Sequence, residues 1–267
     1  MQIEVIIEKK SHKLDAEEGK TILETLQEHG IHVLTAPCGG RGRCGKCTVE
    51  VEHMGEVLAC MTKVTDGMRI TIPEVQLRAQ KSKIAENGTV THYPADDGEG
   101  LDAACDIGTT TVVCHLIDGK TGEKLATVSE PSAQRSFGAD VLSRIQAAEA
   151  GKLEILKEQI IFQIAQMLRT LQKKTGRGEQ IQRLAVVGNT VMCHLFAGIS
   201  PVSIGVTPFM PQEFFGKEYT GEQLGLTDCR SVYIAPAVAG FVGGDITSDL
   251  LAVMQKKPKD KVLFFGI

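Results

Sequence analysis

Cys38-Gly-Gly-Arg-Gly-Arg-Cys44-Gly-Lys-Cys47, with Cys60 following in Val57-Leu-Ala-Cys-Met-Thr62, decides the first part of the chain. The spacing is C-x5-C-x2-C, then a gap of twelve residues, then C. Three sulfurs lie in one tight loop and a separate segment supplies the fourth. Gly39, Gly40, Gly42 and Gly45 carry no Cβ, so the backbone between the sulfurs can curl through positive φ. Its amide groups can then point at the sulfurs, which carry negative charge. Arg41 and Arg43 place positive charge at the rim.

Plant-type [2Fe–2S] ferredoxins use C-x4-C-x2-C and a distant fourth cysteine, so this loop is one residue longer. Cys38, Cys44, Cys47 and Cys60 are therefore read as the ligands of a [2Fe–2S] cluster. The alternative is structural zinc. Such sites usually show two short C-x2-C pairs or a Cys/His mixture, and only one short pair occurs here.

A chain of 267 residues suggests two domains. With 42% hydrophobic and 23% charged residues, it has the composition of an ordinary soluble globular protein. The net charge is −4 and no basic stripe is present, so nucleic-acid binding has no electrostatic support. The start, MQIEVIIEKK, is not a signal peptide, and no apolar run reaches the length of a membrane span. The expected location is a reducing cytoplasm. Cys105, Cys114, Cys193 and Cys229 share no common spacing and are expected as reduced thiols, mostly in the core. The histidines form no ligand cluster, and His194 reads as structural.

Residues 1–75 read as a small α+β domain. Gln2–Ile7 alternates like a strand, and a turn at 9–11 leads into a second strand ending at Leu14. Thr21 and Glu24 make a capping-box pattern that opens a helix closed by Gly30. The cysteine loop, a strand at 48–51 and a strand at 68–72 follow. Residues 76–100 are polar, end acidic, and read as a linker. From Leu101, two strands joined at 108–110, a turn at 118–122 and a third strand form a meander. A helical stretch at 137–150 precedes a longer helix. Its stripe Leu153, Leu156, Ile160, Ile164, Met167, Leu171 is expected to pack on a sheet. A buried strand at 184–187, a short helix at 190–196, a strand at 232–234, a helix running to Met254 and a strand at 262–265 complete the reading.

Asp106-Ile-Gly-Thr-Thr-Thr111 sits at the turn between the first two strands of that meander. Gly108 lets a backbone approach a ligand, and Thr109, Thr110 and Thr111 offer hydroxyls and amides to phosphate oxygens. Asp106 can hold Mg²⁺ through water. A plain threonine-rich hairpin is the bland alternative. Gly188 and Asn189 end a buried strand, where α/β folds place ligands. Gly243 and Gly244 open a helix whose first amides attract anions. Asp245 can orient a water or hold the metal, or serve as a plain helix cap. No Walker A run occurs.

The β-grasp order of the first domain is similar to that of ferredoxins. The hairpin and meander of the second resemble the ribonuclease-H-like fold of acetate kinases, sugar kinases, actin and chaperone ATPases. The pairing resembles the reductive activators of corrinoid proteins, on CGGRGRCGKC, CDIGTTT, SFGADVLSRI, VVGNTVMCHLFAG and AGFVGGDITSDL. The resemblance implies a [2Fe–2S] cluster, ATP and Mg²⁺, an upstream electron donor, and a corrinoid protein or corrinoid-dependent methyltransferase as partner. It implies ATP-driven one-electron reduction of Co(II) to Co(I), with Asp106 and Asp245 as catalytic residues. Family members are longer, and their second phosphate loop follows a strand like VLFFGI. The chain is thus expected to be C-terminally truncated, its ribonuclease-H-like domain (101–267) incomplete and its own ATP hydrolysis weak or absent. A simple [2Fe–2S] electron carrier with a non-functional ATPase half, and a kinase or ATPase with a structural cluster, are the alternatives.

Overall fold

A computed structural model describes residues 1–74 and 98–255. Most of the linker expected at 76–100 and the strand expected at 262–265 lie outside the described residues. The described residues form two compact units: 1–74 with Ala133–Ala147, and 98–132 with 148–255.

The first unit holds β1 (Gln2–Ile7), β2 (Lys10–Asp15), α1 (Ile22–Glu28), β3 (Thr48–Val51), β4 (Gly55–Leu58) and β5 (Arg69–Thr71). The sheet order is β2-β1-β5-β3-β4. Only β1 and β5 run parallel; the other neighbours are antiparallel. This is a β-grasp sheet, and α1 supplies its apolar partner. Ile3, Val5, Ile22, Leu26, Val49 and Ile70 are almost wholly buried together, and Cys47 and Cys60 belong to the same core. Strand β4 went unread in the sequence, because His53 and Met54 give no strong turn signal before Gly55.

Helix α1 begins as its capping box requires. Glu24 N–H donates to Thr21 Oγ1 (3.2 Å), and the Glu24 carboxylate accepts from Thr21 N–H (2.9 Å). Thr21→Ala removes one half of this pair. It is expected to lower the stability of the first unit by about 1 kcal/mol, measured by urea unfolding.

The second unit holds β6 (Leu101–Ile107), β7 (Thr111–Asp118), β8 (Lys124–Pro131), α3 (Leu153–Thr175), β9 (Ile181–Val187), α4 (Thr190–Ala197), β10 (Lys217–Thr220), α5 (Gly221–Leu224), β11 (Cys229–Ile234) and α6 (Gly244–Gln255). Its sheet order is β10-β11-β9-β6-β7-β8. The β6-β7-β8 meander is antiparallel, and β9 runs parallel to both β6 and β11. This is the ribonuclease-H-like arrangement. On α3, Leu156, Ile160, Ile164, Met167 and Leu171 are fully buried. Burying each contributes about 2 kcal/mol, and the stripe packs on β7 and β8 as expected.

Two expectations are corrected. The helical stretch read at 137–150 is broken: a 3₁₀ turn spans Ala133–Phe137, α2 spans Val141–Ala147, and a kinked π turn follows at Ala148–Lys152. Gly138 (φ 150°) interrupts the helix at one end and Gly151 (φ 84°) at the other. Cys105 and Cys114, expected as separate reduced thiols, are joined by a disulfide. The β6–β7 register sets them directly opposite, with Cα atoms 4.3 Å apart. Cys193 and Cys229 are buried free thiols, as expected. Among the described residues, no helix is long and apolar enough to cross a membrane.

Candidate functional site

Two centres emerge, one in each unit. In the first, Gly39, Gly40, Gly42 and Gly45 all hold φ between 63° and 82°, so the cysteine loop curls as glycine permits. The sulfurs fall into two pairs. The Cys44 side chain hydrogen-bonds Cys38, and the Cys47 side chain hydrogen-bonds Cys60. Backbone amides of Cys44, Arg43 and Arg41 also point at Cys38, and that of Gly42 at Cys60. Burial raises the Cys38 thiol, but these donors overcome it and bring it down to about 6. Burial, then the hydrogen bond and charge of Cys47, push Cys60 up to about 12.

Two sulfur pairs suit two metals, each gripped by two sulfurs, and amides aimed at sulfur suit a group whose sulfurs carry negative charge. The residues thus fit a [2Fe–2S] cluster. Cys47 and Cys60 are buried, while Cys38 and Cys44 are half-buried.

The second centre forms where the parallel strands end. Strands β6, β9 and β11 point the same way, so the segments after Ile107, Val187 and Ile234 gather at one edge of the sheet. Asn189 Nδ2 donates to Thr109 Oγ1 (3.0 Å), while Asn189 Oδ1 accepts from Met192 N–H and caps α4. Asp245 N–H donates to Gly188 O (3.1 Å), and Ile246 N–H to Asp245 Oδ1 (2.8 Å). Glycine is required at three contacts. A Cβ on Gly108 would lie 2.5 Å from Thr111 O, one on Gly188 2.6 Å from Ile107 Cγ1, and one on Gly243 2.6 Å from Thr190 N. Gly244 packs against Ala235, Thr110 O accepts from Ser132 N–H, and Thr111 pairs with Pro131 across the β7–β8 ladder.

Carboxylates from two elements also feel one another's charge here. Asp106 is exposed at the surface, yet protein atoms lie close around its carboxyl. Desolvation by that crowding, then the charges of Asp245 and Asp249, push its carboxyl up to about 6. Asp249 escaped the sequence reading. It lies four residues beyond Asp245 on α6, so the i, i+4 spacing was the available signal. Asp245 lies in the first turn of α6, where it accepts from Ile246 N–H and adds charge beside Asp106.

The raised Asp106 carboxyl carries a pH prediction. Were Asp106 to hold a divalent cation, a proton would compete for it, because the cation needs the ionised form. Affinity for Mg²⁺–nucleotide is expected to fall about tenfold per unit below pH 6, measured by calorimetry. Without a cation, the proton is held more tightly in the folded than in the unfolded chain. Asp106 therefore contributes stability at low pH that is lost as pH rises through about 6. Asp106→Asn removes both dependences.

Residues 101–257 match the family model described as the RACo middle region, and residues 4–74 match a 2Fe-2S iron-sulfur cluster binding domain. "Corrinoid activation enzyme RamQ" of Eubacterium limosum is 27% identical over 307 aligned positions, covering 85% of this chain and 51% of that protein. The solved "Reductive activator for corrinoid, iron-sulfur protein" shares the fold, with a TM-score of 0.57 at 24% identity over 97% of this chain and 59% of that one. The chain spans about half the length of the curated relative it matches. With a cluster-binding unit followed by this middle region, the chain belongs to the RACo family of reductive activators of corrinoid proteins.

Proposed function

We propose that this chain links one-electron transfer to nucleotide binding, with a corrinoid as the electron acceptor. The observation that carries the reading is the presence of both centres on one polypeptide: the paired cysteines in the first unit and the gathered threonine, glycine and aspartate groups in the second.

Cys38, Cys44, Cys47 and Cys60 hold the cluster, which when bound supplies storage for a single electron. Cys38 and Cys44, the less buried pair, mark the side on which electrons enter from an upstream donor and leave to the corrinoid. In the acceptor, one electron takes Co(II) to Co(I). Gly108 and the three threonines receive phosphate oxygens. Gly188, Asn189, Gly243 and Gly244 shape the opposite wall. Asp106, with Asp245, holds Mg²⁺ through water and orients the attacking water.

Co(I) formation requires a lower potential than such a cluster ordinarily supplies. Nucleotide binding shifts a conformational equilibrium only by its differential affinity for two states, so the uphill transfer needs hydrolysis to drive it. The partner is a corrinoid protein or corrinoid-dependent methyltransferase, met in the cytoplasm.

The test is anaerobic reconstitution with iron and sulfide, followed by electron paramagnetic resonance and a Co(II)-corrinoid reduction assay. An S = 1/2 signal on reduction, and a change in that signal on adding Mg-ATP, are expected. Tetrahedral zinc in place of iron overturns the cluster. A cluster signal and a rate of Co(I) formation that both ignore Mg-ATP make the chain a simple electron carrier.

A further inference from the structure

The run Ser136-Phe-Gly-Ala-Asp-Val-Leu-Ser-Arg-Ile145 lies within the RACo middle region by sequence. By its contacts, however, Ala133–Ala147 belongs with the cluster-binding unit. It packs directly behind the cysteine loop. Ala139 N–H donates to Pro37 O (3.3 Å), and Gln27 Nε2 donates to Ser136 O (2.9 Å) from inside the core. A Cβ on Gly39 would sit 3.3 Å from Phe137 O and 3.7 Å from Ser143 Cβ. Pro37 and Gly39 flank the ligand Cys38, so this segment forms the wall against which that ligand is set.

The segment is internally stiff. Arg144 is fully buried, and its guanidinium donates to Gly138 O (3.4 Å) and Gln134 Oε1 (3.2 Å). Burial lowers its pKa to about 10, so it remains a cation at neutral pH. Asp140 accepts from Ser143 N–H (2.8 Å) and caps α2. At Gly138 a Cβ would lie 2.2 Å from Ser143 Cβ, which admits only glycine. These contacts tie Gln134, Gly138, Asp140, Ser143 and Arg144 to one another.

Both ends of the segment run into the nucleotide unit. Upstream, Ser132 N–H donates to Thr110 O (2.9 Å), at the tip of the phosphate hairpin. Downstream, α2 runs into the non-helical pair Ala150 and Gly151, a swivel before α3. Ser132 Oγ and Ser136 Oγ are buried with no hydrogen-bond partner among the described residues, which leaves capacity for a second position.

We propose that Ala133–Ala147 is a strap through which the state of the hairpin at Asp106–Thr111 reaches the cluster, with Gln27 as the positioning residue that fastens the strap to the cluster side. The path is short and covalently continuous: Thr110, Ser132, then Ser136 and Phe137 against Gln27 and Gly39. It deepens the proposed function, which supplies the nucleotide. Contact alone does not establish coupling; a mutant cycle does.

The experiment uses the full chain with its cluster loaded anaerobically, and reads the reduced-state resonance spectrum and midpoint potential at equal iron content. Gly108→Ala forces the hairpin open, and Thr109→Val removes its bond to Asn189 with little change of volume. Either hairpin variant is expected to shift the cluster signal. Gln27→Met is expected to reduce that shift by at least half. Hairpin variants that fold yet leave the signal unchanged, or shifts that persist undiminished with Gln27→Met, overturn the strap. Calorimetry with Mg-ATP separates the two claims. A chain that shows the cycle but binds no Mg-ATP sinks the nucleotide reading alone, and one that binds Mg-ATP without the cycle sinks the strap alone.

Discussion

Cys47→Ala is expected to abolish cluster assembly, with bound iron falling more than about tenfold and the S = 1/2 signal lost. Even a change in groups that merely hydrogen-bond a metal's ligands costs about 10–100-fold in affinity, and this change removes a ligand. The pairing sharpens the prediction. With Cys47 gone, Cys60 loses the sulfur that hydrogen-bonds it, whereas Cys38 and Cys44 remain together. Cys47 is also 1% exposed in the core of the first unit, so alanine leaves a small void there. That void costs about 1 kcal/mol, and circular dichroism should show the unit still folded. Iron analysis and resonance spectroscopy on the folded variant decide the matter. Full iron content in Cys47→Ala would remove this residue from the ligand set.

Gly243→Ala is expected to disturb both the packing and the candidate site of the second unit. The added Cβ would meet Thr190 N at 2.6 Å, Asn189 Cα at 2.7 Å and Asn189 C at 2.8 Å, all of them backbone. No side chain can swing aside, so α6 must shift away from α4. Overpacking of this kind costs about 1–3 kcal/mol. The functional loss is expected to exceed the loss of stability. Displacing α6 moves Asp245 and Asp249 from Asp106 and breaks the Asp245–Gly188 bond. Thermal unfolding and Mg-ATP calorimetry on the same sample measure the two effects. Unchanged values in both would show that the backbone has room to give.

Local chemistry made much of this legible. The capping box at Thr21, the strand alternation of Gln2–Ile7 and the stripe on α3 all act within a few residues, and each formed where expected. The elements that escaped depend on distant partners. Strand β4 is held by its ladder with β3, and the charged edge strand β10 by β11. The stretch at 137–150 has helical composition, yet Gly138 and the buried Arg144 bend it to fit behind the cysteine loop. The Cys105–Cys114 bond follows from strand register, which spacing alone does not reveal.

The sequence by itself determined the ingredients: four cysteines with glycines between them, a hairpin of Gly and Thr after Asp106, and paired glycines before Asp245. Their chemistry is carried by residue type and short spacing, so no fold is needed to recognise it. Only the tertiary structure decided their company. Parallel pairing of β6, β9 and β11 brings Thr109 to Asn189 and Asp106 to Asp245 and Asp249, because parallel strands deliver their ends to one edge. Core packing likewise sets Ala133–Ala147 against the loop of Cys38, a hundred residues earlier in the chain. Burial and register act between residues distant in sequence, and a linear reading has no measure of either.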